Sequence, residues 1–431
     1  MHRYPLSFSS ITTSLLRSTV FFIGIVSLLV LCAVPQGEAQ TAEDRNRCPI
    51  ILVHGFGGWG PEELNGYKYW GGIFDIQEEL RLAGYEVYTA HVGPFSSNWD
   101  RAIELFYQIK GGQVDYGEEH CLRYGHVQRP AGKLFTNPLY PQWDAQHPVH
   151  LVGHSMGGQT IRMLAALLAG KAAPYQNVLR DTNGALFTPG EGWIKSITTI
   201  ATPHNGTSLF DLTDNPAAIA AMILGVAQVD MAGIVPDGFY GFDLDQWDIH
   251  PQEGETTEEY LRRIFDLLSS SEDFSVYELS TSGAQCFNAA VNLSTEDASA
   301  YRFSFAVEQT VGQPYPDALL YVPDLMMNPL MLNTALLIGL SPSFTDPLDI
   351  GPRWRMNDGV VNTESMKAPL AGCADTFHEY DGIPQKGVWN FMGTFHYDHL
   401  DIIGHTQITP AERKTIIRFY LSLAELLTSL E

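Results

Sequence analysis

The chain has 431 residues, 45% of them hydrophobic and 17% charged, enough to bury one large core or two ordinary ones and too apolar for a disordered chain. Its 25 Lys and Arg face 49 Asp and Glu, a formal charge of −24, which argues against a nucleic-acid partner and against docking on anionic lipid through charge. Any lipid contact has to be apolar. No internal repeat or low-complexity tract is present.

At the N-terminus, Arg3 and Arg17 precede an uncharged stretch reaching Glu38, with the apolar centre VFFIGIVSLLVLCAV and the small-x-small pattern Gly37-Glu38-Ala39. This pattern predicts a secretory signal peptide over residues 1–39 and a secreted mature chain from residue 40. An uncleaved membrane anchor is the alternative, because the stretch is nearly long enough to cross a bilayer. Beyond it lie Cys48, Cys121, Cys286 and Cys373, which in an oxidising compartment allow up to two disulfides in any of three pairings.

Next comes CPIILVHGFGGWG (48–60), a continuous apolar run stopped by glycines, as expected of a strand buried on both faces of a parallel sheet. HPVHLVGHS (147–155), IKSITTIATP (194–203) and YRFSFAVEQ (301–309) repeat the pattern, with helix-like segments such as GGQTIRMLAALLAG (157–170) between them. The last segment, 411–430, follows Pro410 and places Ile416, Phe419, Leu423, Leu427 and Leu430 at helical spacing. An α/β fold closed by an amphipathic helix is predicted. Two stretches read as insertions: about 95–147, rich in Gly, His and aromatics, and about 204–255. In the second, only Gln228 and Asp230 are polar between Pro216 and Val235.

Gly153-His154-Ser155-Met156-Gly157 fits G-x-S-x-G, in which small residues at both ends permit a sharp strand-to-helix turn that lifts a serine oxygen above the sheet. An apolar run before it and a helix former after it supply the context the motif requires. A serine hydroxyl needs a base, itself held by an acid, and in this fold the order along the chain is Ser, acid, His. Among the downstream histidines, most of them expected on the surface or in loops, His399 in YDHLDIIG lies just before the final helix. Asp358 in the turn MNDGVVN suits the acid, and Asp381 in EYDGIP competes. The developing oxyanion needs two N–H donors. Met156 and, from HGFGG, Phe56 are the candidates.

Over most of residues 48–430 the chain resembles the secreted bacterial lipases of the Geobacillus and staphylococcal type, through LVHGFGGWG, KYWGG, VGPFSSNWDRA, GGQVDYG, TTIATPHNGT, LDQW, NDGVVNT, KGVWNFMGT and DHL. The resemblance implies an α/β-hydrolase fold with a zinc-binding insertion and a helical lid. It implies triacylglycerol lipase activity at an oil–water interface, with Ser155 as nucleophile, Asp358 as acid, His399 as base, and Phe56 and Met156 as oxyanion donors. It also implies a structural zinc on Asp100, His120, His126 and Asp245, in a subdomain formed by about 95–147 and about 240–250. The lid falls at 214–237, within the insertion of about 204–240. Relatives hold calcium just after the base; here Asp401 replaces a longer Glu and Thr406 stands where the second acid belongs, which weakens a hard-cation site. Relatives usually begin the pentapeptide with Ala and often have Gln after the serine, where this chain has Gly153 and Met156. A carboxylesterase or phospholipase of the same fold, an acyltransferase, and a non-catalytic lipid-binding surface protein are the alternatives. No stable protein partner is implied.

Overall fold

The apolar runs become parallel strands. In a computed structural model of the protein, residues 46–170, 191–212, 242–268, 270–292, 298–315, 318–343, 349–370, 377–405 and 409–431 are described. One sheet contains β1 (Ile50–Val53), β2 (Val87–Ala90), β3 (Val149–His154), β4 (Ile194–Ile200), β5 (Tyr301–Glu308), β6 (Phe377–Glu379) and β7 (Trp389–His396). Their spatial order is β6-β7-β5-β4-β3-β1-β2, and every neighbouring pair is parallel.

Parallel strands need crossovers, and helices provide them. The longer helices are α1 (Ile76–Leu82), α2 (Asn98–Lys110), α3 (Glu118–Tyr124), α4 (Met156–Leu168), α5 (Thr257–Leu268), α6 (Thr281–Ala290), α7 (Leu332–Gly339) and α8 (Pro410–Thr428). Because successive strand residues point to opposite faces, β1 feeds two cores. Ile51 and Val53 join Leu151 and Ile197 against Ala102 and Phe106 of α2 and Ile161 and Leu164 of α4. Ile50 and Leu52 join Val152 and Phe303 against Leu80 of α1 and Ile416, Tyr420 and Leu423 of α8. Covered on both faces, the strands must be apolar throughout, which is why they read as runs.

Helix α4 is buried along its whole length. The start of α8 follows the sequence signal closely: Thr409 and Glu412 form a reciprocal capping box, with Pro410 in the first turn. Helix α2, inside the stretch read as an insertion, is almost wholly buried in the same core as α4. Strands β2, β6 and β7 had no counterpart in the sequence reading. β6 is only three residues long, and β7 is interrupted by a register shift between Phe391 and Thr394, so neither shows a clean apolar run.

Among the described residues Cys48, Cys121 and Cys286 are free thiols, set ahead of β1, within α3 and on α6. Cys373, Thr406, the signal-peptide stretch 1–39 and the lid stretch 214–237 lie outside the described residues. Among the described residues, no helix is long and apolar enough to cross a membrane.

Candidate active site and metal group

Ser155 sits where β3 ends and α4 begins, with φ 55° and ψ −132°, a backbone region that costs a non-glycine residue on the order of 1–3 kcal/mol. Its neighbours hold it there. The Ser155 N–H donates to Ile200 O (2.9 Å), and Ser155 O accepts from Thr202 Oγ1 (2.9 Å) and Gly158 N (3.0 Å). The flanking glycines are sterically required: a Cβ on Gly157 would lie 2.3 Å from Val53 O, and one on Gly153 2.4 Å from the Gly157 carbonyl. The turn is therefore wedged against the end of β1.

Parallel packing brings the expected partners to the same end of the sheet, where the loops after the strands converge. The Ser155 hydroxyl donates to His399 Nε2 (2.9 Å), and His399 Nδ1–H donates to Asp358 Oδ2 (2.6 Å). Asp358 is fully buried, and its Oδ1 accepts from the N–H groups of Val360 (2.9 Å) and Val361 (2.7 Å). Of the two candidate carboxylates, Asp358 is the one that meets His399. Asp381 is exposed and pairs with His378 at 3.5 Å. Of the other downstream histidines, His250 and His396 are surface residues, while His204 and His405 lie in loops, as expected, but are buried there. His204 packs against the Trp389 ring, and His405 lines the pocket above Ser155 and donates from Nε2 to Tyr69 O (2.8 Å).

The loop after β1 carries Phe56. The peptide whose N–H belongs to Phe56 has its carbonyl, Gly55 O, fixed by the His54 ring: Val92 N–H donates to His54 Nε2 (3.2 Å), which leaves Nδ1–H to donate to Gly55 O (2.9 Å). Burial, and after it the Arg101 guanidinium, holds the His54 pKa far below its ordinary value. Arg101 also donates to His54 O (2.5 Å) and Gly93 O (2.7 Å), stiffening the loop from beneath. Over Ser155 and His399 lies a pocket walled by Phe56, Phe210, Leu279, Met331, Val360 and Leu400. Met156 takes no part in that wall. Its side chain is buried among Phe95, Leu209 and Phe274, so the departure from the relatives' Gln leaves the pocket lining untouched.

A second polar group lies apart from this pocket. Asp100, His120, His126 and Asp273 are all buried and bring four ligand-type atoms within 4.8 Å of one another. The zinc expectation is thus corrected at one position: the fourth carboxylate is Asp273, not Asp245. Asp245 instead packs by Gly132, and its neighbour Gln246 faces the group, donating from Nε2 to Asp100 Oδ2 (3.0 Å). Asp100 lies in the first turn of α2, capped by Ser97, and His120 is on α3. Gly125, with φ 81°, ends α3 and turns the chain so that His126 faces back. Trp99 stacks on His120 (5.2 Å, 20°), and His126 Nδ1 donates to Val127 O (3.3 Å), leaving Nε2 as the inward lone pair.

Four buried atoms here, Asp100 Oδ1, His120 Nε2, His126 Nε2 and Asp273 Oδ2, have no hydrogen-bond partner. Three of their separations are 3.2 Å and one is 3.9 Å. Tetrahedral ligands at zinc bond lengths stand about 3.3 Å apart, so the donor set fits such an ion. Without a bound cation, burial pushes both imidazole pKa values down, but the carboxylates outweigh it and lift His120 to about 9 and His126 to about 10, so the group draws positive charge to its centre, which a bound cation would supply in place of the ring protons. Asp401 belongs to no comparable group among the described residues. It opens a short 3-10 turn, its N–H donating to Asp398 Oδ1 (2.9 Å).

Sequence reading missed Asp273, which sits in SSSEDFS with no local pattern to mark it. It also passed over Tyr69 and His154, buried beside the Ser155 turn. His154 occupies the motif's unspecified second position, which gave no chemical signal.

A mostly parallel sheet flanked by helices, with the Ser155 turn at the carboxyl end of a central strand, defines an α/β-hydrolase. A family model described as "Lipase-like, C-terminal domain" matches residues 46–431, and the chain belongs to that family. It is 34% identical over 409 residues to a lipase of Staphylococcus hyicus, covering 93% of this chain and 60% of that protein, so it spans well under the full length of that relative. Among solved structures it is similar to EstA from Clostridium botulinum (37% identity, TM-score 0.81, covering 91% of this chain and 90% of that one). It is also similar to lipase 1 from Pelosinus fermentans (36% identity, TM-score 0.76, covering 90% and 100%).

Proposed function

We propose that this protein is a secreted triacylglycerol lipase, hydrolysing carboxylic ester bonds of acylglycerols at an oil–water interface. The observation that carries the reading is the chain from Ser155 Oγ to His399 to Asp358, at 2.9 and 2.6 Å, beneath an apolar pocket. His399 takes the Ser155 proton as the oxygen attacks the ester carbonyl, and Asp358 orients the imidazole and stabilises its charged form. The N–H groups of Phe56 and Met156 hold the oxyanion; neither donates to another group among the described residues. His399 returns the proton to the leaving alcohol, and water then attacks the acyl-enzyme by the same route.

The apolar lining that includes Phe56, Phe210 and Met331 suits an acyl chain. The stretch 214–237 serves as the lid, since a segment so apolar in composition is stable in water only when covered by protein or by lipid. Asp100, His120, His126 and Asp273 hold a structural zinc, which supplies cross-linking rather than chemistry because four protein ligands leave no open position.

The test is hydrolysis of emulsified triolein by the purified mature chain beside Ser155→Ala, with a short soluble ester and a phospholipid run in parallel. The parent is expected to cleave triolein and the variant to lose at least about 10⁴-fold in kcat. Equal inactivity of the two defeats the enzyme reading, and preference for the short ester or the phospholipid reassigns it to a carboxylesterase or a phospholipase. Deleting or stiffening 214–237 is expected to lower triolein turnover more than turnover of the short ester.

A further inference from the structure

We propose that Tyr69 and His154 are positioning residues of this centre: a one-directional hydrogen-bonded chain through their side chains ties the backbone of His399 to the loop that carries Phe56. The inference rests on the roles given above to Ser155, His399 and Asp358.

The direction follows from chemistry. The His399 carbonyl can only accept, so His154 Nε2, 2.9 Å away, carries the hydrogen. Deep burial, and then the neighbouring His399 ring, holds the His154 pKa far below its ordinary value, so the ring has one proton and its Nδ1 is a lone pair. Tyr69 Oη, 2.7 Å from that Nδ1, therefore donates to it. The same oxygen accepts the Gly55 N–H at 2.9 Å. Every donor is assigned and no link can reverse without leaving a buried group unpaired. His154 is fully buried and Tyr69 is 6% exposed, so each bond is shielded from competing water.

The consequence lies at His399. Its N–H already donates to Asp358 O (2.9 Å), and its carbonyl is held by His154, so the peptide units on both sides of the base are fixed while its ring is left to exchange protons with Ser155. The two imidazole centroids are 4.7 Å apart. A second cation there would oppose the imidazolium that forms on His399, and a neutral His154 locked in one tautomer avoids it. Gly55 immediately precedes Phe56, so base and oxyanion donor share one frame.

The experiment compares His154→Phe, His154→Asn, His154→Gln and Tyr69→Phe with the parent on p-nitrophenyl butyrate. Rates are expressed per active site, titrated by the p-nitrophenol burst from an alkylphosphonate ester. The Phe and Asn variants are expected to lose about 10- to 100-fold in kcat, with KM changed less than about threefold. Gln, whose amide nitrogen reaches the position of Nε2, restores kcat to within about threefold of the parent, and Tyr69→Phe falls by about tenfold. The proposal is overturned if His154→Phe turns over within about twofold of the parent per titrated site, or if Gln is as slow as Phe, which would make the role one of packing. Should His154→Phe fail to fold, Tyr69→Phe decides: parent-like kcat overturns the chain, and the stated loss at unchanged KM supports it. Ser155→Ala, run beside them, is expected to give neither burst nor turnover. If instead it turns over, the assignment of the nucleophile has failed, independently of the His154 variants.

Discussion

The Ser155 site and the Asp100 group are both made of buried carboxylates and imidazoles, yet their polar atoms end differently. At Ser155 each donor finds an acceptor, from the Val360 and Val361 N–H groups through Asp358 and His399, and the chain stops at a hydroxyl on the pocket floor. Around Asp100 two outer atoms are satisfied, Asp100 Oδ2 by Gln246 and His126 Nδ1 by the Val127 carbonyl, and four inner ones have no hydrogen-bond partner. A satisfied chain with one open end can pass a proton outward. A closed ring of unsatisfied donors needs a cation to be stable.

Changing one member of each should separate chemistry from architecture. Asp358→Asn keeps the shape of the first site but loses the charge that holds His399, and kcat on a soluble ester is expected to fall by about 10³- to 10⁴-fold, with metal content and melting temperature near the parent's. A variant that melts early instead would make Asp358 a structural carboxylate. Asp273→Ala should do the reverse. Zinc measured by elemental analysis drops from stoichiometric to near zero and the melting temperature falls by about 5 °C or more, while kcat at low temperature changes by less than about threefold. Asp245→Ala keeps its zinc. If Asp245→Ala loses the metal and Asp273→Ala keeps it, the assignment of the fourth ligand is reversed.

A smaller effect belongs to neither site. His91 Nε2 lies 2.5 Å from Asp243 and Nδ1 3.3 Å from Glu63. Burial opposes charge on His91, but Asp243 and then Glu63 outweigh it and hold its pKa above the ordinary 6.5. A raised histidine stabilises the fold fully below its unfolded pKa and loses that contribution as pH rises through the folded value. The stability gap between parent and His91→Gln, measured by urea unfolding, is therefore largest at about pH 6 and shrinks toward alkaline pH, staying under about 1 kcal/mol because the pair is partly exposed. A gap that widens with pH would show that His91 folds uncharged.

The same contrast explains how far the sequence could be read. Ser155 was legible because the requirement is local: a strand, two glycines and a helix within one short stretch. β1, β3, β4 and β5 were legible because burial on both faces leaves only apolar residues. Asp358 and Asp381 could not be separated by pattern, since both sit in polar turns and only the approach of β7's following loop decides which meets His399. The metal group was the least legible, its members coming from α2, α3, a turn and a distant loop. There the resemblance selected Asp245 of LDQW as the fourth ligand, whereas the fourth carboxylate is Asp273 and the adjacent Gln246 only donates to Asp100.

Asn46, the first described residue, has a wider consequence. Its backbone N–H donates to Thr428 O (2.9 Å), and its side-chain amide donates to Leu427 O (2.9 Å) and Leu430 O (3.0 Å), so the two ends of the body meet at one corner. The Asn46 carboxamide oxygen also meets His150 Nε2 at 3.0 Å, which ties that corner to β3, the strand that ends in Ser155. The segment entering β1 is thus latched to the last turn of α8, so the final helix is fixed at both its capped start and its far end, and pulling on either would be felt first at the sheet rather than at the pocket.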